Sequence, residues 1–178
     1  MLAPDLTSGD LPNVRLAPFQ ESDVNDAYVV WMRDPAIIRF TEVEPDSATL
    51  ENCRDYVRSN NASNRSILWR IMTPDDGHVG NIRMSVSAKH RRGEVALIVG
   101  RTDLHGRGIG GGAIGLVRDY AFGGLELHKV TCGIYASNHG SEAAFAKQGF
   151  QVEAIFREHV LLDDCFEDVV RMSCFAPN

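Results

Sequence analysis

The amino-acid sequence predicts an α/β domain of the α+β kind, a mixed and mostly antiparallel sheet with helices packed against it. Three observations carry the prediction. Strand-like apolar runs at 67–72, 79–86 and 94–99 are separated by the turn signals Asp75-Asp76-Gly77 and Arg92-Gly93, the pattern of an antiparallel meander. A glycine-rich segment, 105–112, follows the third run and opens a helical pattern. Further strand runs come after that helix, so the sheet takes strands from both sides of it in the chain.

Residues 1–12 include Pro4, Ser8, Gly9, Asp10 and Pro12 and read as a flexible N-terminal arm ahead of one domain spanning 13–178. Val14-Arg15-Leu16 alternates as a first strand. Ser22 and Asp23 cap a helix that carries Val24, Ala27, Tyr28 and Trp31 at helical spacing and stops at Asp34-Pro35. A second helix is expected over 47–57, then the meander. The helix after the glycines buries Ile109, Ala113, Leu116, Val117 and Tyr120 and ends at Gly123-Gly124. A strand at 129–135, a short helix at 141–148 closed by Gly149, and strands at 151–157 and 166–175 complete the chain. No internal repeat is visible.

Composition bounds the function. The chain has 178 residues, 44% of them hydrophobic, enough to bury the core of one domain. Its formal net charge of −6 argues against a general nucleic-acid binder, whose affinity comes from Lys and Arg neutralising phosphates. His90-Arg91-Arg92 reads as a solvated turn. Cys53, Cys132, Cys165 and Cys174 are widely spaced with no C-x-x-C pair, so reduced thiols are expected and no metal site. No apolar run reaches the roughly 20 residues that span a bilayer, and no signal-peptide pattern opens the sequence. A cytoplasmic protein that binds neither membrane nor nucleic acid is the expectation.

The segment His105-Gly106-Arg107-Gly108-Ile109-Gly110-Gly111-Gly112-Ala113 has the form of an anion cradle. Small residues let successive backbone N–H groups approach a ligand, and the helix that follows directs free donors and its positive dipole end at a phosphate. Three consecutive glycines in an opening helical turn cost up to about 1 kcal/mol each relative to alanine. A stability margin of roughly 5 to 15 kcal/mol makes that a large concession. Close packing of strand on helix is the other use such a run has, and the residues alone leave both open. A P-loop would need Lys-Ser or Lys-Thr after the glycines, and none is present. A dinucleotide fold would place the turn after the first strand with an acidic residue about 20 positions on; here several strands come first, and Glu126 lies in a turn.

Beyond that loop, the chain carries Trp31-Met32-Arg33-Asp34-Pro35, Gly77…Gly80-Asn81-Ile82, Tyr120-Ala121-Phe122-x-x-Leu125-x-Leu127-His128-Lys129, Asn138-x-x-Ser141, Phe145-x-x-x-Gly149-Phe150 and Arg157. Together these resemble the GCN5-related N-acetyltransferase (GNAT) superfamily, and within it the ribosomal-protein N-terminal acetyltransferase (RimJ/RimL) branch, over most of the length. His105-x-x-Gly108-x-Gly110 matches the superfamily's Q/R-x-x-G-x-G/A loop, with His at the Gln/Arg position. The resemblance implies a GNAT fold of about seven strands flanked by about four helices, with acetyl-CoA as acetyl donor and no metal.

It also implies roles. His105, Gly106, Arg107, Gly108, Ile109, Gly110 and Gly111 would hold the pyrophosphate, a backbone N–H near Ile98 or Val99 would polarise the thioester carbonyl, and Asn138 would meet the pantetheine arm. Glu94 matches an acidic residue that serves as base, often through water. Phe145 stands where many relatives have a tyrosine acid, leaving Ser141 or a bound water to protonate the thiolate. Trp31, Arg33, Phe40 and Glu42 would border the acceptor cleft, with Arg157 and Asp168 on the closing strands. From the residues alone Glu94 is equally an exposed strand carboxylate, Asn138 a helix cap, Trp31 core, and Arg157 with Asp168 a cross-strand ion pair.

The resemblance implies an amine acceptor, and a small-molecule amine is expected. The segment 127–141 most resembles acetyltransferases acting on 4-amino groups of nucleotide-linked sugars, ahead of a protein N-terminal amine, polyamines and aminoglycosides. A non-catalytic acetyl-CoA-binding module and a nucleotide-binding oxidoreductase are the alternatives from other classes, and a homodimer is left open.

Overall fold

The strand runs of the meander form as their alternation requires. In the computed structural model, which describes residues 3–8 and 13–177, they are β2 (Ser66–Thr73), β3 (Gly77–Ser87) and β4 (Arg92–Val99). β1 (Arg15–Pro18) adds to one side, and β5 (Lys129–Tyr135), β6 (Gln151–Leu162) and β7 (Cys165–Phe175) to the other, in the order β1-β2-β3-β4-β5-β7-β6. Every neighbouring pair is antiparallel except β4 and β5. The described helices are α1 (Asp26–Arg33), α2 (Pro35–Ile38), α3 (Leu50–Ala62), α4 (Ile109–Gly123) and α5 (His139–Lys147). This is the expected mixed α/β architecture, with α2 as a helix beyond the expected set. Among the described residues no helix is long and apolar enough to cross a membrane.

Local chemistry moved several boundaries. Asn25, rather than Ser22 or Asp23, caps α1 by accepting from Tyr28 N–H at 3.1 Å, while Asp23 closes a 3-10 turn in front of it. Asp34 then caps α2, which opens on Pro35. α3 begins later and runs longer than expected, because Pro45-Asp46-Ser47 form a separate 3-10 turn and Thr49 caps the helix. Arg92-Gly93 lies inside β4, and the turn is built by residues 88–91, with Arg91 in the left-handed region at φ 47°. β6 extends past 157 because a bulge at Glu158, φ 48°, resets its pairing with β7.

The N-terminal stretch also departs from expectation. Leu6 exchanges two backbone hydrogen bonds of 2.9 Å with Leu16, and Trp69 Nε1 donates to Pro4 O at 2.8 Å, so residues 3–8 dock along the sheet edge. Residues 9–12 lie outside the described ones.

Two apolar layers hold the sheet. On one face α4 and α5 cover Ile82, Met84, Val95, Val130 and Ile134 through Ala113, Ile114, Val117 and Phe145. On the other, α1 and α3 bury Phe19, Val24, Tyr28, Met32 and Val57 over β2. That second layer reaches β4 only at its far end, where Ile98 packs against it, and leaves most of the same face of β4, β5 and β7 uncovered.

His78 joins the edge of the second layer, packed among Phe19, Tyr28 and Trp31 with centroids 5.2 to 6.2 Å away. Burial and then the nearby Arg70 push its imidazole down to about 4. The neutral ring is therefore stabilising above the unfolded histidine value near 6.5, and that contribution is lost as pH falls toward 4. Between pH 7 and 4.5 the chain is expected to lose on the order of 2–3 kcal/mol of unfolding free energy to this group, and a His78→Gln variant to lose correspondingly less; equal losses in urea titrations of both would contradict the assignment.

Candidate active site

β4 and β5 pair only at Arg92↔Lys129, Gly93↔Val130 and Glu94↔Thr131. Beyond Glu94 they part, because each is secured on its far side: β4 to β3 along its whole length, β5 to β7 from Lys129 to Tyr135. The gap leaves backbone edges unpaired. Gly100 N–H donates to Val79 O, and the alternation of an antiparallel ladder then aims the Ile98 amide at β3 and the Leu97 and Val99 amides into the gap. Of the two expected thioester donors, Val99 has the required direction, while Ile98 contributes its side chain to the cleft wall.

The glycine segment bridges the end of β4 and α4. Gly106 and Gly108 adopt φ +77° and +82°, and a Cβ added at either would meet open space within 4 Å. Gly112 N–H donates to Gly108 O at 2.8 Å as the first bond of the α4 ladder. The amides of Gly106, Gly108, Ile109, Gly110 and Gly111 find no backbone acceptor among the described residues. These free donors sit at the positive end of a 15-residue helix and fit a diphosphate. Gly112 has the other use: a Cβ there would lie 3.0 Å from Val14 Cγ2. His105 turns away from the cradle, its Nε2–H donating to Val99 O at 2.9 Å and tying the loop to β4. Arg107 is exposed at the rim.

A cleft of about 520 Å³ opens from the gap, between the 40–43 segment, Tyr56 of α3 and the ends of β4, β5 and α5. Phe40 packs edge-on against Tyr135, centroids 6.0 Å apart, and Tyr135 Oη donates to Glu42 Oε1 at 2.7 Å. Burial and then the Glu42 bond push the phenol up to about 12, so Tyr135 stays protonated at physiological pH. Asn138 caps α5 by accepting from Ser141 N–H at 3.1 Å, and both side chains line the cleft. Phe145 is buried at its floor against Phe150.

Asn81 faces the same cleft from β3. It is 95% buried, at 5% exposure, and its Oδ1 finds no hydrogen-bond partner among the described residues. A buried carbonyl oxygen without a donor costs about 1 to 3 kcal/mol, which a ligand N–H would relieve.

The remaining expected residues lie elsewhere. Trp31 packs on His78 and fills the space over Gly100, where a Cβ would sit 2.1 Å from its ring. Arg33 Nε donates to Ala48 O at 2.7 Å and supports the 45–48 turn. Arg157, 74% exposed, pairs with Asp168 at 2.5 Å. Glu94 is in the adjoining groove, paired with Arg171 at 2.7 Å. Tyr135, Asn81 and Arg83 are not among the site residues that the sequence points to; the bond from Tyr135 to Glu42 spans 93 residues, and no spacing rule reaches that far.

Comparison with known proteins agrees with this geometry. A family model for the acetyltransferase (GNAT) domain matches residues 13–151. A probable N-acetyltransferase, YjcK of Bacillus subtilis, is 41% identical over 74 residues, 42% of this chain and 41% of that protein, so less than half of the relative is spanned. Spermidine N(1)-acetyltransferase of Escherichia coli K12 is 25% identical over 167 residues, 92% of this chain and 86% of the relative. Among solved structures, the spermidine N-acetyltransferase of Vibrio cholerae in complex with CoA and spermine superposes with a TM-score of 0.82 at 18% identity, over 92% of this chain and 95% of that one. Mycobacterium smegmatis RimJ in complex with CoA-disulfide gives 0.79 at 18% identity, over 92% and 82%. RimJ is thus one neighbour among several branches that share the fold. With its split sheet, its cradle of free amides and a family match over residues 13–151, the chain belongs to the GNAT family of acetyl-CoA-dependent N-acetyltransferases.

Proposed function

We propose that this enzyme acetylates a small-molecule primary amine that enters the cleft between Phe40, Glu42 and Tyr135. The observation that carries the reading is the conjunction of an unpaired β4 edge with a carboxylate–phenol pair at its mouth. Acetyl-CoA, when bound, supplies an activated acetyl thioester. The amides of Gly106 and of residues 108–111 hold its diphosphate, Arg107 adds charge, and Asn138 with the open β4 edge guides the pantetheine arm.

The Val99 amide, facing the gap, would donate to a thioester oxygen as it gains charge, an arrangement worth roughly 2.7 to 4 kcal/mol where such a donor has been removed. Alkyl amines near pKa 10 arrive protonated. One proton must leave for solvent before attack, freeing the nitrogen lone pair; Glu42, held in place by Tyr135, then takes the second as the N–C bond forms and the C–S bond breaks, and Asn81 Oδ1 accepts the remaining N–H. The Ser141 hydroxyl would pass a proton to the departing sulfur and regain one from solvent, the task that Phe145 cannot perform. Glu94 is already committed to Arg171, so we assign the base to Glu42.

Two acceptor classes follow from different observations. The relatives named as spermidine acetyltransferases, with Glu42 at the mouth and Glu167 beside Tyr135, favour a polyamine. Arg83, which lines the cleft and meets no carboxylate within 4.0 Å among the described residues, favours an amine on an anionic carrier, such as a nucleotide-linked amino sugar. A CoA-release assay across spermidine, spermine, UDP- and dTDP-linked amino sugars, and alanine- or serine-starting peptides tests the function. Turnover with an amine is expected; binding of acetyl-CoA without CoA release for any acceptor would reduce the protein to a binding module.

Two substitutions probe the roles. Glu42→Gln is expected to lower kcat/KM by roughly 10² to 10⁴-fold with little change in CoA affinity, and Tyr135→Phe by roughly tenfold or more through loss of a hydrogen bond to a charged group. A Glu42→Gln enzyme with wild-type kinetics would remove the base assignment. Gly108→Val forces a β-branched residue into left-handed backbone, so Kd for CoA measured by calorimetry should rise at least about tenfold, or 1.4 kcal/mol; unchanged affinity would refute the cradle.

A further inference from the structure

A second cavity, about 690 Å³, lies end to end with the acceptor cleft on the same face of the sheet, bordered by Ser59 and Asn60 of α3. Alternation places Arg83, Ser85 and Ser87 of β3, Glu94 and Arg92 of β4, Lys129 and Thr131 of β5, and Arg171 of β7 on this one face. The cations are Arg65, Arg83, Arg92, Lys129 and Arg171; the carboxylates are Glu94 and Glu153. Glu94 pairs with Arg171, and Glu153 with Lys129. Arg65, Arg83 and Arg92 are left with no carboxylate within 4.0 Å among the described residues, although acidic side chains outnumber basic ones in a chain of net charge −6.

Guanidinium groups brought together without counter-ions repel one another, and a groove that gathers them in an acidic protein is matched to an anion. The Ser85 and Ser87 hydroxyls add neutral donors to the same wall. We propose that this groove is a binding site for a phosphate or diphosphate group, with Arg65, Arg83 and Arg92 as its principal contacts. Arg83 also lines the acceptor cleft, so the two cavities are continuous. Arg83 stands opposite Ala96, and Arg92 is four residues along β4 from Ala96. Val99 is three residues from Ala96 and seven from Arg92, so at the rise of an extended strand the anion would sit on the order of 10–23 Å from the thioester end of the gap. The chemistry has two sources: the acceptor's own phosphate or diphosphate, or a separate phosphate-bearing effector. The site goes beyond the polyamine reading and does not require it.

The test uses the full chain saturated with CoA, so that the loop at 106–111 is filled, titrated calorimetrically with inorganic pyrophosphate and with UDP. Saturable binding is expected. It should weaken at least tenfold in Arg65→Gln/Arg92→Gln, two exposed positions, and stay unchanged in Arg54→Gln on α3, which does not line the groove. Circular dichroism melting confirms that each variant is folded, and Arg83→Lys, which keeps the charge, should lose less than Arg83→Gln. Inhibition by pyrophosphate that is competitive with the amine identifies the anion as part of the acceptor; inhibition or activation that is not competitive identifies an effector. No saturable binding by the CoA-saturated protein, or binding indifferent to the Arg65 and Arg92 changes, overturns the site. Normal CoA release with such a result would leave the acetyltransferase reading standing, so the two failures are distinguishable.

Discussion

The parting of β4 from β5 after three residue pairs is the constraint on which the rest of the molecule turns. A parallel pair that ends early leaves N–H and C=O groups facing each other across an apolar interior, and such groups need partners. Closing the sheet would satisfy them, but β3 and β7 hold the two strands on their outer sides and keep the gap open. An extended amide-bearing ligand laid along β4 would supply the missing pairing. His105 contributes to the same economy by occupying Val99 O, which leaves the neighbouring amide as the free group at the strand end.

Both faces of the sheet then acquire distinct work. On one, α4 and α5 bury the apolar side chains of β3, β4 and β5, and the free N-terminal amides of α4 meet the end of the gap. On the other, α1 and α3 cover β2 and reach β4 only at Ile98, and the polar alternation of β3, β4, β5 and β7 stays accessible as two grooves in series that α3 borders. In the proposed function the donor and the acceptor would approach one gap from opposite sides, which would orient the reactants. Electrostatics divide that accessible face: Glu42 and Tyr135 mark the end near the gap, and Arg65, Arg83 and Arg92 the far end.

Much of this was legible in the amino-acid sequence because it is written locally. The meander, the glycine-led helix and the strand at 129–135 follow from alternation and from turn residues within a few positions of each other. Helix starts were less legible wherever several cap residues compete: Ser22, Asp23 and Asn25 are all competent, and the 3-10 turn at Glu21–Asp23 decides for Asn25. The glycine run concealed a division of labour, since Gly106 and Gly108 serve backbone conformation and Gly112 serves packing on Val14. The acceptor side was hardest. Glu42 meets Tyr135 across the sheet, and Glu94 is drawn into an ion pair by Arg171, 77 residues away. Pairings at that separation depend on the strand order, which local patterns do not specify.

Amide hydrogen exchange with and without CoA tests the central claim most directly, because it reads the unpaired backbone itself. Slowed exchange confined to 106–111 and to the Leu97 and Val99 amides is the result that a ligand pairing with the open β4 edge predicts. Unchanged exchange there, with protection appearing along β1 or β6 instead, would contradict it.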